Sequence, residues 1–99
     1  MSEKLKESER TKERIKLPRR YQVLIYNDDF TPMDFVVSIL MTVFEKPKPE
    51  AVKLMYTVHR GSFAVAGVYV RDIAETKTAI ATAKARACGY PLKLEAVPE

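Results

Sequence analysis

The sequence predicts an α+β domain: a small, three-stranded, mostly antiparallel sheet with three helices packed on it, in the order β-α-α-β-α-β. Three observations predict it. Short strand-like apolar runs open the folded part (YQVLIY, Tyr21 to Tyr26), divide it (FAVAGVYV, Phe63 to Val70) and close it (Pro91 to Val97). Between them, apolar residues recur at helical spacing. No segment repeats, and 99 residues suit one core rather than two. Gathering the helices on one side of such a sheet buries every apolar stripe with the fewest layers.

The elements follow in order. Residues 1–20 are expected to be a flexible arm, with Pro18 near its boundary, and residues 21–99 the core domain. After Tyr26 come an amide and two acids, Asn27, Asp28 and Asp29, and then signals for a helix start. Thr31 is placed to be the N-cap, Pro32 the first helical residue, and Asp34 stands three after the cap. Met33, Val36, Val37, Leu40, Val43 and Phe44 form its apolar stripe, with Asp34, Ser38, Thr42 and Glu45 opposite. KPKPE (Lys46 to Glu50) ends that helix, and Pro49 opens a second, carrying Val52, Met55, Val58 and His59 to a stop at Gly61. FAVAGVYV is apolar on both alternating faces and is expected to be the central, doubly covered strand, with Gly67 marking a bulge or close backbone approach. A third, alanine-rich helix runs from about Asp72 to Cys88, with Gly89 as its cap.

Composition narrows function by exclusion. The chain is 46% hydrophobic and 30% charged, which suits a soluble globular domain. No apolar run approaches the roughly 20 residues that cross a bilayer, so no membrane partner is expected. The N-terminal residues lack an apolar signal core and mix acids with bases, so a cytoplasmic location is expected. Cys88 is the only cysteine, which removes internal disulfides and multi-cysteine zinc sites. The net charge of +4 lies entirely in residues 1–20, with eight bases against four acids; the other 79 residues hold nine of each sign. That arm alternates its signs and has no aromatic residue to stack on a base, so nucleic acid is not the expected partner.

Asn27, Asp28, Asp29 and the only histidine, His59, are the candidate chemistry. Asn and Asp at a strand exit serve as turn residues, but with Thr31 capping the helix the two acids are surplus to that task. A histidine ending an apolar stripe is ordinarily a core-edge residue. If the second helix packs across the first turn, His59 would face the acids. A hydrolase needs a nucleophile, a base and an oxyanion site, and the nearby hydroxyls, Thr31 and Thr57, are placed as cap and helix residue. A divalent-metal site at these four residues is a weak alternative with a single imidazole. Acceptors without a nucleophile suit a protonated amine, which wants three of them.

NDDFTPMDFVVSIL (Asn27 to Leu40), LMYTVH (Leu54 to His59), GVYV (Gly67 to Val70) and AETK (Ala74 to Lys77) resemble, in order and spacing, the ClpS adaptor family, over about Tyr21 to Glu95. The resemblance implies a non-enzymatic adaptor without cofactor, expected to be a monomer when free. It implies a bacterial N-recognin that captures proteins with N-terminal Leu, Phe, Tyr or Trp and delivers them to the AAA+ unfoldase ClpA of the ClpAP protease. It assigns Asn27, Asp28, Asp29 and His59 to the α-amino group. Ile25, Thr31, Met33, Val36, Met55, Val58 and Leu92 become the hydrophobic side-chain pocket, Met33 gating its size. Asp72 and Lys77 become a ClpA-docking surface, and the arm an extension for substrate handover. Alternation in an extended segment puts Asp29 on the face of Asn27, and Asp28 towards the following peptide residue or the rim. Two departures are visible: Asp72 stands where the family usually has glutamate, and RGSFAVAG has its glycine early. The alternative is a protein-interaction domain using its basic arm on nucleic acid or an acidic partner.

Overall fold

The structure, a computed structural model, describes residues 19–99; most of the expected arm lies outside them. The element order is β1 (Arg20–Tyr26), α1 (Met33–Thr42), α2 (Lys48–Gly61), β2 (Phe63–Val70), α3 (Arg71–Ala87) and β3 (Leu94–Pro98). The sheet has the order β2-β1-β3, and both pairings are antiparallel. Arg20, at the expected end of the arm, is already paired, opposite Val70, and its guanidinium meets Glu99 at 2.8 Å.

The central strand is therefore β1, and the expectation that Phe63 to Val70 occupies the middle is corrected. The physical reason is that an apolar run reports composition on both faces, not coverage. In β2, Ala64 and Ala66 are buried, while Phe63, Val68 and Val70 point apolar surface outward. β1 shows the cleaner alternation: Val23 and Ile25 are fully buried, with Gln22, Leu24 and Tyr26 half-buried between them. Val23 pairs with Gly67 and Leu24 with Val65, so Ala66 is the extra residue of a β-bulge. The Tyr69 ring lies over Gly67, where any Cβ would meet it; the glycine is the close approach that its place in a strand suggested.

The helices pack in sequence. α1 lies on α2, α2 on β2, and α3 on all three strands. Ala74, Ala81 and Ala85 form the buried face of α3 and let its backbone approach the sheet. α3 ends in a Schellman arrangement: Gly89 takes φ +78°, its N–H bonds to Arg86 O, and the Tyr90 N–H bonds to Ala85 O at 2.8 Å. α2 does not stop at Gly61, which is still helical; Ser62 takes the turn instead, at φ 82°. Among the described residues no helix is long and apolar enough to cross a membrane.

Candidate functional site

The turn after β1 is built by Asp28. Its Oδ1 accepts the backbone N–H groups of Phe30 (2.8 Å) and Thr31 (2.7 Å), and its Oδ2 accepts the Thr31 hydroxyl (2.7 Å). This arrangement corrects the expected cap. Thr31 spends its hydroxyl on Asp28, α1 starts at Met33, and Pro32 holds the N-cap position with no side-chain cap bond. The helix begins two residues after Thr31, so the threonine Oγ is not at the cap position, and its hydroxyl donates to the Asp28 carboxylate in a charge-assisted bond instead. Burial pushes the Asp28 carboxyl up. The hydrogen bonds from the Thr31 hydroxyl and the Thr31 and Phe30 N–H groups, with the charge of Arg86, outweigh that and hold it below the ordinary value.

The next carboxylate is different. Asp29 is exposed and makes no side-chain hydrogen bond or ion pair to another described residue, nor do the side chains of Asn27 and His59. Backbone pairing brings His59 to them. The Asn27 N–H bonds to Ser62 O at 2.7 Å, and the Ser62 N–H bonds back to Val58 O. The last turn of α2 is thereby fastened beside the end of β1, because Tyr26 pairs with Phe63 directly after that helix.

These groups open into a cavity of about 350 Å³, within the size range of small-ligand pockets. Asn27, Asp28, Asp29 and His59 line it together with Thr31, Met33, Val36, Met55 and Val58. Polar groups come from the β1 exit and the last turn of α2, and apolar ones from the facing sides of α1 and α2. Ile25 and Leu92 are not on its wall. They are 0% and 1% exposed and share the core cluster with Val36, Met55 and Val58. Two lining residues had not been singled out, Phe30 and Pro32; an aromatic inside a polar turn was the available signal.

Asp72 and Lys77 lie on α3, away from the cavity. Asp72 is exposed. Lys77 is half-buried, donates to Val43 O at 2.6 Å, and stands 5.3 Å over the Tyr69 ring. Arg86, also unforeseen, clamps the loop before β3 by donating to Tyr90 O and Leu92 O. Among the described residues no group of three or more His, Cys, Asp or Glu side chains is placed to hold a metal ion.

A cavity with apolar walls, rimmed by acceptors that have no side-chain partner among the described residues, is suited to holding a small ligand. Residues 16–95 match the family described as ATP-dependent Clp protease adaptor protein ClpS. The chain is 48% identical over 81 residues to the ATP-dependent Clp protease adapter protein ClpS of Oleidesulfovibrio alaskensis, covering 82% of this chain and 78% of that protein. It is 51% identical over 84 residues to the ClpS of Deinococcus radiodurans, covering 85% and 74%. The structure of Agrobacterium tumefaciens ClpS2 bound to L-phenylalaninamide superposes with a TM-score of 0.81 at 41% identity, covering 84% of this chain and all of that one. The chain belongs to the ClpS family of Clp protease adaptors.

Proposed function

We propose that the cavity receives the first residue of a protein chain, its free α-amino group on the polar rim and its bulky hydrophobic side chain among the apolar residues, and that the adaptor delivers the captured protein to the ClpA unfoldase. One observation carries the proposal: Asn27, Asp29 and His59 present acceptors with no side-chain partner among the described residues at the mouth of an apolar cavity. An ammonium offers three donors to match them. The ligand of the Agrobacterium neighbour, a free amine joined to a benzyl side chain and an amide, has the same chemistry. Asp29 is assigned to the amine and Asp28 to the turn that holds it, because the Asp28 carboxylate already accepts three hydrogen bonds within the turn and Asp29 accepts none from a described residue.

Met33, Val36, Met55 and Val58 take the side chain; Met33, 41% exposed, stands at the entrance as a size gate. Ile25 and Leu92 support that wall from the core. Charge-assisted hydrogen bonds contribute about 1.5–3 kcal/mol each, and a buried Leu or Phe side chain about 1.5–3 kcal/mol. Less the ordering cost, the sum reaches about −8 kcal/mol, a micromolar complex suited to capture and release. A chain without the ammonium, or with a charged first side chain, is rejected. Asp72 and the N-terminal arm are assigned to the unfoldase contact and handover, and the setting is cytoplasmic.

The test is a binding screen of short peptides that differ only in the first residue, with acetylated controls. Leu, Phe, Tyr and Trp peptides with a free amine should bind, and Asp, Lys and acetylated peptides should not. Binding that ignores the first residue would sink the proposal.

A further inference from the structure

Phe30 is the most exposed large apolar side chain among the described residues, at 78%, and it lines the mouth of the cavity. Its position is not loose: its N–H is fastened to Asp28 Oδ1, and the same carboxylate grips Thr31 on its other side. An aromatic held by a rigid turn and left in water beside a concave site marks a contact surface. The fold does not bury it, and the side-chain wall assigned above to Met33, Val36, Met55 and Val58 does not include it. The geometry says what it meets. Consecutive Cα atoms are about 3.8 Å apart, so Phe30 is one step along the turn from Asp29, and the second residue of a bound chain is one step from the residue whose amine Asp29 holds. With the first side chain in the cavity, the second lies at the rim where Phe30 stands.

We infer that Phe30 is a specificity-determining residue that packs on the second residue of the bound chain and favours apolar or aromatic side chains there. The inference rests on the first-residue proposal above. The neighbouring Asp29 adds the opposite sign, disfavouring an acidic second residue by like-charge repulsion.

The experiment titrates peptides that begin with Phe and continue with Gly, Leu, Phe or Asp, each free and acetylated, against the wild type, Phe30→Ala and Phe30→Tyr. Wild type and Phe30→Tyr should bind the Leu and Phe peptides about five- to tenfold more tightly than the Gly peptide, and the Asp peptide most weakly. In Phe30→Ala the advantage of Leu and Phe over Gly should vanish, with the melting temperature retained because the side chain is exposed. An unchanged advantage in Phe30→Ala, with acetylated peptides still rejected, overturns the Phe30 assignment alone. Acetylated peptides binding as tightly as free ones overturn it together with the first-residue proposal.

Discussion

The turn after β1 and the middle of α3 both carry charged side chains that the sequence marks as functional, and the fold uses them in opposite ways. At the turn, the acceptors of Asp29, Asn27 and His59 have no side-chain partner among the described residues and line a cavity, while Asp28 is consumed in holding the turn. On α3, Lys77 is spent internally: it caps the carbonyl of Val43 just past the end of α1 and covers Tyr69, so it joins α3 to α1 and the sheet. A charged residue is available to a partner in proportion to what the fold leaves unpaired. By that measure Asp29 is the proposed binding group, Lys77 is first a structural one, and Asp28 would serve the proposed binding only through geometry.

The largest effect expected from breaking this contrast is on binding. Asp29→Ala and His59→Ala should each weaken a free-amine Phe peptide by roughly ten- to a hundredfold with melting temperature unchanged; peptide titration beside a thermal melt separates the two readouts. Lys77→Met should do the reverse, costing about 1–2 kcal/mol of stability through the orphaned Val43 carbonyl. That is roughly a 5–10 °C fall in Tm for a domain of this size, with peptide affinity retained. A Lys77→Met protein that melts like the wild type would return Lys77 to a purely docking role.

Asp28→Ala should cost about 1 kcal/mol at neutral pH by freeing three donors in the turn. The sign of its pH dependence follows from the depressed carboxyl. The stabilisation is fully present above the ordinary aspartate value of about 3.9 and is lost as pH falls through the lower folded value. Urea melts of wild type and variant should therefore converge only in that acid range; a constant gap would contradict the assignment. The smallest effect is a gain: Ser62→Gly should add about 0.5–1 kcal/mol by relieving the positive φ, and a loss in denaturant melts would show that the serine side chain matters more than its backbone.

Much of the fold was legible because its signals are local. Pro49, Gly67 and Gly89 each do what their position in the sequence announces, at a helix start, a bulge and a helix end. What was illegible depended on competition or coverage. Thr31 read as a cap because Asp28's claim on its hydroxyl is a three-residue loop closure, not a periodic pattern. Phe63 to Val70 read as central because an apolar outer face looks the same whether or not anything covers it. The lining of the candidate site was legible as a list, since Asn27, Asp29, Met33, Val36, Met55, Val58 and His59 line one cavity. Its depth was not: Ile25 and Leu92 sit in the core, one shell behind the wall. The charge of Arg86 acts on Asp28 from far along the chain, and only the folded arrangement brings the two near enough for that.

The central claim is that Asp29 and its neighbours read a free amine. It is tested most directly by titrating wild type and Asp29→Asn with one Phe-initiated peptide, free and acetylated. Acetylation should cost the wild type about a hundredfold or more in affinity and Asp29→Asn markedly less, because the charge pair is gone. An equal cost in both proteins would contradict the account.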